Sequence, residues 1–351
     1  MGLRRAAAGR FTDRPSPALL PVPTPLPSGR RATAHWRCLY TFARCAIDLR
    51  STARRFWPVA LLAALTFPGR GPAAVEGASS LLETRPDIVF TRIQSTAGLS
   101  PIVRDVVQTA DGYLWLATEA GLSRFDGVRH KIHRATSTPE LKHSIIRVLC
   151  EDPAGGALWV GTDHGLARWE AGCFTAIDLP DTAVSSLARD TSGTIWIGTE
   201  TRGLFEYRDG QLVDHGANPV MPARNIRQLF ADSSGRVWIS FARRAGVVVF
   251  QDGKFEPFPA PELAQLTVLS MAETEGRTIW FGTETGGILQ LRDGSIRQFG
   301  RDHGLGSEQV FDLLADRSGR LWAICRGLFQ WDGADSLARL PLLGHGDNTT
   351  P

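Results

Sequence analysis

Six tryptophans recur at nearly constant intervals along this chain, and such a period limits the folds that the chain can adopt. The intervals between them are 44, 37, 42, 42 and 42 residues. The six positions are Trp115, Trp159, Trp196, Trp238, Trp280 and Trp322. Each lies in a short apolar run of β type, such as TIWIGT around Trp196, with a turn glycine shortly before it. The chain therefore contains a tandem array of similar units.

Turns divide each unit into four short segments. A second turn closes each unit, with Asp-Gly at Asp126, Asp209, Asp252, Asp293 and Asp332, and Ala-Gly at Ala171. The 5 to 8 residues between turns suit strands and are too few for helices. The Trp segment is apolar on both faces, which favours a small sheet packed between two neighbours. The predicted fold is therefore all-β, a β-propeller of four-stranded blades over residues 86–340, with six recognisable repeats.

The tryptophans are interpreted as core residues that fill the wedge between blades, without a role in binding. Small residues follow each Trp by one or two positions, at Ala117, Gly161, Gly198, Ser240, Gly282 and Ala323. We expect the gap beside each to receive a side chain of the adjacent blade. Aspartates at Asp190, Asp232 and Asp316 are expected to stabilise turns through side-chain to backbone hydrogen bonds.

The first 80 residues differ from the repeats in composition. They carry twelve Arg and three acidic residues, with six prolines between residues 15 and 27, so we expect a disordered basic leader. Within residues 50–78, arginines precede the apolar run 56–67, and small residues follow it, which is the order of a secretory signal. Twelve apolar residues are short for a membrane span, which favours a cleaved signal over an anchor. The expected location is periplasmic or extracellular, with membrane association as the alternative, and residues 341–351 are expected to form a tail.

Charge and cysteine usage exclude several function classes. Residues 81–351 carry 27 basic and 33 acidic side chains, without a basic run that could neutralise a row of phosphates, so no nucleic-acid partner is expected. The five cysteines form no CxxC pair and indicate neither a disulfide framework nor a metal site. No phosphate loop or nucleophile elbow occurs, and no cofactor is indicated.

The stretch from Gly98 to Gly127, GLSPIVRDVVQTADGYLWLATEAGLSRFDG, resembles the opening repeat of the two-component regulator propeller family. Repeats of that family read roughly DxxGxLWIGTxxGLxRxDG, and the pattern recurs with drift over residues 88–333. The resemblance implies the periplasmic sensor region of a hybrid histidine kinase or a related bacterial signalling protein. It also implies an unknown small-molecule or saccharide ligand, no enzymatic activity in this chain, and either a membrane-bound signalling partner or a C-terminal output domain.

The repeat count departs from the family pattern. Six repeats are recognisable here, whereas the family commonly has seven-bladed propellers. We therefore expect either a six-bladed ring or an incomplete seven-bladed ring, and the resemblance favours a sensor that lacks its output domain. Two other classes stay open. One is an interaction scaffold, because a fold alone does not define function. The other is a lyase or hydrolase similar to the streptogramin-inactivating lyases, for which His164 or His303 with Glu200 are the candidate catalytic residues.

Candidate binding residues lie in the loops that join the second and third strands. The position four residues after the Trp is acidic in four repeats and is Ala242 or Arg326 in the others. Either each acid caps its own turn, or the acids form a polarised rim for a charged or sugar-like ligand. The predicted ligand-binding face comprises Glu119, Asp163, His164, Glu200, Arg202, Arg243, Arg244, Glu284, His303 and Arg326.

Overall fold

The computed structural model describes residues 100–340 apart from residues 153, 155, 317, 332 and 334. Its strands form six four-stranded antiparallel sheets, and in each sheet the strands are paired in chain order. The fold is a six-bladed β-propeller, which confirms the predicted fold class. The leader, the signal-like segment, residues 86–99, the Asp332 turn and the tail lie outside the described residues.

The strands are numbered in chain order, four to a blade, so that each blade begins with its first strand. Blade 1 contains β1 (Val103–Gln108), β2 (Leu114–Thr118), β3 (Gly121–Phe125) and β4 (His130–His133). Blade 2 contains β5 (Ile146–Asp152), β6 (Ala157–Thr162), β7 (Gly165–Glu170) and β8 (Cys173–Ile177). Blade 3 contains β9 (Val184–Arg189), β10 (Ile195–Thr199), β11 (Leu204–Arg208) and β12 (Gln211–Asp214).

The second half of the propeller follows the same plan. Blade 4 contains β13 (Ile226–Ala231), β14 (Val237–Phe241), β15 (Val247–Gln251) and β16 (Lys254–Pro257). Blade 5 contains β17 (Val268–Thr274), β18 (Thr278–Thr283), β19 (Ile288–Arg292) and β20 (Ser295–Phe299). Blade 6 contains β21 (Asp312–Ala315), β22 (Leu321–Ile324), β23 (Leu328–Trp331) and β24 (Leu337–Leu340).

Helix in the described part of the chain is limited to short connecting turns. These are one α-helical turn, Pro261–Ala264, and the 3-10 segments Pro139–Leu141, Glu275–Arg277 and Arg301–His303. No helix among the described residues has the length and apolar character needed to cross a bilayer. The spacing of turns in the sequence left no room for longer helices, and the structure agrees.

Tight turns join the third and fourth strands of most blades. In blade 3 Asp209 and Gly210 both have positive φ, 50° and 80°, as a two-residue type I′ hairpin requires. The corresponding pairs that begin at Ala171, Asp252 and Asp293 have the same signs of φ. This requirement explains why Asp-Gly recurs at this point of the repeat.

The first strands of the blades lie innermost, because the first strand of each blade contacts the first strand of the next. These contacts run from β1 and β5 through to β17 and β21. Two of these contacts include a hydrogen bond from a main-chain N–H to a polar side chain of the adjacent first strand. Leu149 N–H donates to Asp105 Oδ2 at 2.8 Å, and Leu229 N–H donates to Ser186 Oγ at 2.9 Å. Within the described residues, β21 makes no contact of similar extent with β1, so the junction between blades 6 and 1 differs from the other five.

In blades 1 to 5 the Trp of the second strand fills the wedge between its own blade and the next. Trp159, for example, is 3% exposed and belongs to a cluster that includes Leu187 and Ile197 of blade 3. Trp322 instead clusters with apolar residues of its own blade. The predicted gap beside the Trp is present as well. A Cβ atom built on Gly198 would lie 2.6 Å from Ile226 Cγ2 of blade 4, and one on Gly161 would lie 2.7 Å from Val184 Cγ1 of blade 3. At Gly161 and Gly198, therefore, a larger side chain would overlap a side chain of the following blade.

We expect Gly198→Leu to lower the free energy of unfolding by about 1 to 3 kcal/mol or more, because the added side chain would overlap Ile226 in a packed junction. Thermal and denaturant unfolding would measure this. Gly300→Leu is the matched control, because a Cβ at Gly300 meets nothing within 4 Å. Equal melting temperatures for the two variants would contradict the proposed packing.

The predicted aspartates stabilise their turns and also hold the tryptophans. Asp316 Oδ1 accepts the N–H groups of Ser318 and Arg320 at 2.8 and 3.1 Å, which confirms the expected role in the turn. Its other oxygen accepts the indole N–H of Trp322 at 2.9 Å. Burial alone would raise the pKa of Asp316, but the hydrogen bonds from Ser318, Trp322 and Arg320 lower it below its ordinary value of 3.8.

Asp316 should therefore increase the loss of folding stability as pH falls. A carboxyl group whose pKa is lower in the folded than in the unfolded chain stabilises the fold above the unfolded pKa, and this stabilisation is lost as pH falls through the folded pKa. Asp316→Asn should reduce the loss of stability below about pH 4, measured by unfolding at several pH values. Asp293→Asn, at a turn position whose side chain is 88% exposed, is the control. Parallel pH profiles for wild type and Asp316→Asn would contradict this prediction.

Candidate functional site

The loops that join second to third strands lie at one end of the blades, together with the connections between blades. The residue four after the Trp donates its N–H to the last residue before the first strand of the same blade, as Glu200 does to Ala183 at 3.0 Å. Asp163, Ala242 and Glu284 make the equivalent bond. We call this end the upper face. The opposite end, which carries the turns between first and second and between third and fourth strands, is the lower face.

All ten predicted binding residues lie on the upper face. Nine lie in the loops between second and third strands, and His303 ends the 3-10 segment in the connection between blades 5 and 6. The structure thus places the predicted set on one side of the propeller. Its members differ, however, in the contacts that they make.

Threonines cap these loops, and the acids that follow them do not. Thr118, Thr162, Thr199 and Thr283 each donate a hydroxyl hydrogen bond to a glycine carbonyl in the same loop, at 2.6 to 3.1 Å. Each hydroxyl also accepts a backbone N–H of the loop. Of the two roles that the sequence left open for the acids, turn capping is therefore wrong, since the threonines fill it.

The acidic side chains are directed towards arginines of the first strands. Arg104, Arg147 and Arg227 are each the second residue of their strand, in blades 1, 2 and 4. Strand pairing is irregular at these positions, for example between Val103 and Asp105, and such a bulge re-aims a side chain. In blade 1, Arg104 Nη2 donates to Glu119 Oε1 at 2.6 Å.

Arg147 links two blades on the upper face. Its Nε bonds to Asp163 of its own blade, and its Nη1 donates to Glu200 Oε1 of blade 3 at 2.5 Å. Burial alone would lower the pKa of Arg147, but the hydrogen bond to Asp163 and the charge of Glu200 raise it above its ordinary value. Both ion pairs remain partly exposed, with 25% of the Arg147 side chain and 41% of the Glu200 side chain accessible.

Arg227 occupies the equivalent place in blade 4, where Ala242 replaces the acid of the second to third loop. Burial of the Arg227 side chain lowers its pKa, and the charges of Glu284 and Glu200 oppose that shift. These two acids belong to blades 5 and 3. Arg227 is therefore influenced by the carboxylates of both neighbouring blades.

A histidine pair lies beside this network. His164 Nδ1 is 2.7 Å from Asp181 Oδ1, and the His164 ring is 4.7 Å, between centroids, from the ring of His143. His143 Nδ1 in turn lies 4.0 Å from Asp163 Oδ2. The acid that contacts His164 is thus Asp181 and not Glu200.

The remaining predicted residues lie outside the network. Arg202, Arg243, Arg244 and Arg326 are exposed, and no side-chain contact with the network is found for them in the described part of the chain. The Nδ1 atom of His303 accepts the N–H of Gly300 at 3.3 Å, and its ring packs edge-on against Phe299. Within the described residues, then, neither His164 nor His303 contacts Glu200.

Sequence reasoning missed the three arginines of the first strands, together with His143 and Asp181. A signal for the arginines exists, because PIVRDVV, SIIRVLC and NIRQLFA place Arg at the same point of three repeats. His143 and Asp181 have no repeated counterpart that could have identified them.

Reversing the charges in Glu119→Lys together with Glu200→Lys should change the free energy of unfolding by about 1 kcal/mol or less per ion pair, because partly exposed pairs contribute little. The melting temperature of the purified chain checks this. A loss of several kcal/mol would show that the acids are structural.

One family model matches the chain. Residues 178–201, which include the connection into blade 3 and its Trp strand, match the two component regulator propeller repeat. No protein of curated function matches the chain in sequence.

Several solved structures share the propeller. The extracellular domain of a putative hybrid two component system from B. thetaiotaomicron is 22% identical, with a TM-score of 0.57, over 66% of this chain and 34% of that chain. The extracellular domain of a putative one component system from the same organism is 22% identical, with a TM-score of 0.55, over 67% and 32%. Virginiamycin B lyase from Staphylococcus aureus is 14% identical, with a TM-score of 0.57, over 68% and 84%. At these identities the likeness establishes the fold. The chain spans about a third of the length of the two B. thetaiotaomicron structures.

Proposed function

Because this chain carries the repeat of the two component regulator propeller family, we propose that it is an extracytoplasmic ligand-sensing propeller whose upper face binds a small polar molecule or saccharide. The solved extracellular domains of a hybrid two component system and a one component system support this assignment through their fold. The signal passes to a membrane-bound partner or to an output domain of the same system.

The network of Arg104, Arg147, Glu119, Asp163 and Glu200 carries the proposal. Each arginine offers several N–H donors in a fixed plane, and each carboxylate offers acceptors. The side chains remain partly exposed at the inner ends of the blades, so a ligand carboxylate or a pair of ligand hydroxyls reaches them from solvent. A ligand that replaced Glu200 on Arg147 would exchange one charge-assisted hydrogen bond for another.

The network also offers a route from ligand to signal. Arg147 bonds to carboxylates of blades 2 and 3 at once, and the charges of acids in blades 3 and 5 both act on Arg227. A ligand bound at this place contacts several blades. Binding therefore changes how neighbouring blades are held together, and that change is what a partner can detect.

A thermal-shift screen of the full chain tests the proposal. The probes are neutral oligosaccharides, small carboxylates and inorganic phosphate. A ligand at 100 times its Kd adds about 2.7 kcal/mol to the stability of the folded state, which is readily detected. We expect at least one probe to raise the melting temperature of wild type and to lose that effect in the Glu119→Lys, Glu200→Lys variant and in Arg147→Gln.

Arg129→Gln, at an exposed turn of blade 1, is the matched control and should keep the full shift. A shift that persists unchanged in Arg147→Gln and in the charge-reversal variant would place the ligand elsewhere. The absence of a shift with every probe class would contradict binding of small polar molecules.

Lyase activity is the second candidate, and the His164 and Asp181 pair is the observation that favours it. An acid 2.7 Å from a histidine nitrogen can orient the ring as a general base. Virginiamycin B lyase shares the fold over most of its own length. Turnover of a streptogramin B by wild type, lost in His164→Asn, would establish this function and displace the sensor proposal.

A further inference from the structure

A cavity of about 510 Å³ opens on the lower face between blades 5 and 6. This volume is within the usual range for small-molecule sites. Its lining combines the rings of Trp280 and Trp331 with the side chains of Thr278, Gln290 and Glu275. The cavity lies at the opposite end of the blades from the acid and arginine network, so a ligand bound here is independent of the proposed function.

The junction between blades 1 and 2 has the same aromatic framework. There Trp115 and Trp169 lie 5.4 Å apart between ring centroids with planes at 60°, whereas Trp280 and Trp331 lie 5.2 Å apart at 60°. Strand pairing makes these positions equivalent, since each second tryptophan belongs to the third strand of the following blade. The two junctions can therefore be compared residue by residue.

A guanidinium group lies against this framework in blade 1. The Arg124 guanidinium carbon is 3.5 Å from the ring centroid of Tyr113, 5.4 Å from that of Trp115 and 6.0 Å from that of Trp169. The counter-ion is Asp111, in the turn between the first and second strands, at 3.5 Å. Tyr113 is the ring nearest to this guanidinium, and the two tryptophans lie within 6.0 Å of it.

Blade 5 has no equivalent of the Arg124 and Tyr113 side chains that cover Trp115 in blade 1. Trp115 pairs across the sheet with Arg124, whereas Trp280 pairs with Gln290. Tyr113, two residues before Trp115, corresponds to Thr278, two residues before Trp280. Two large side chains are thus replaced by smaller ones, and the cavity borders both of the smaller ones.

Most other blades also cover the Trp with a guanidinium from the same blade. The carbon of Arg168 is 5.5 Å from the ring centroid of Trp159, that of Arg236 is 4.8 Å from Trp238, and that of Arg320 is 5.5 Å from Trp322. No such contact is found for Trp280 in the described part of the chain. In blades 1 and 2 this arginine is paired with the Trp across the sheet, and in blades 4 and 6 it lies two residues before the Trp. Blade 5 has Gln290 and Thr278 at these two positions, so its Trp has no guanidinium against it among the described residues.

We propose that the cavity between blades 5 and 6 is a binding site for a guanidinium group, carried either by a small molecule or by an arginine side chain of a peptide. The ring faces of Trp280 and Trp331 attract the flat cation, as Trp115 and Trp169 do for Arg124. The Thr278 hydroxyl and the Gln290 amide oxygen accept its N–H groups.

The charges around the cavity are compatible with a cationic ligand. Glu275 lies in the same turn of blade 5 as Asp111 does in blade 1, and its carboxylate forms no ion pair with another described residue. Two arginines also line the cavity, and each is paired with an acid, Arg297 with Asp335 at 2.7 Å and Arg292 with Asp293 at 3.7 Å. Glu275 is therefore the counter-ion of the bound guanidinium.

Indole N–H signals of the full chain, labelled at tryptophan with ¹⁵N, provide the test. The probes are agmatine and the capped tripeptide Gly-Arg-Gly, with butylamine and benzoate as comparisons at equal ionic strength. We expect agmatine or the tripeptide to shift the signals of Trp280 and Trp331, assigned with Trp→Phe variants. Butylamine should bind at least tenfold more weakly, because an ammonium group lacks the flat face.

Gln290→Arg should abolish the shift, since it restores in blade 5 the side chain that blade 1 already has. The larger Arg side chain fills part of the cavity and creates no new one. The melting temperature of the Gln290→Arg variant should therefore equal or exceed that of wild type. Arg124→Gln is the reciprocal variant and should create a second site, detected as agmatine-dependent shifts of Trp115 and Trp169. If the tripeptide binds and agmatine does not, the guanidinium comes from a peptide.

Three results would overturn the proposal. The first is binding of benzoate without binding of either guanidinium probe, which would make the site one for anions. The second is agmatine binding that is unchanged in a folded Gln290→Arg variant. The third is no shift of Trp280 or Trp331 with agmatine or the tripeptide at millimolar concentration.

Discussion

The insertion of an indole ring into the junction between two blades is the interaction on which the rest of this propeller depends. Each blade is a small sheet with two apolar faces, and neither face is stable in water alone. The Trp packs between the two sheets, and the glycine nearby, as at Gly161, admits a side chain of the next blade. The two features are complementary, and this is why they recur together through the repeats.

Five of the six repeats supply a hydrogen-bond acceptor for the buried indole N–H, and they do so in different ways. The indole N–H of Trp159 has no hydrogen-bond partner among the described residues. Asp190, Asp232 and Asp316 supply a carboxylate, whereas Thr109 and Thr274 supply a hydroxyl at the same point of the turn. Since carboxylates and hydroxyls both serve as the acceptor, this position of the lower face varies from blade to blade. The cavity beside Trp280 arises from two other differences, Thr278 in place of Tyr113 and Gln290 in place of Arg124.

The fold could be predicted from the sequence to within a residue at many strand ends, because the turns carry specific signals. In blade 5 the segments VLSMAE, TIWFGT, GILQLR and SIRQFG correspond closely to β17, β18, β19 and β20. The candidate site was predicted only in outline. Spacing after the Trp located the loops and their acids, but it could not show that irregular pairing in the first strands turns Arg104, Arg147 and Arg227 towards those acids. Such a contact depends on a bulge, and a bulge leaves no clear mark in a single sequence.

Main-chain bonds hold the loops of the upper face, with the N–H of Glu200 on the carbonyl of Ala183 and that of Glu284 on the carbonyl of Thr267. A loop whose backbone is already held by hydrogen bonds loses little conformational entropy when a ligand binds to it. If the upper face binds a ligand as proposed, the side chains adjust by rotation while the anchored main chain stays in place.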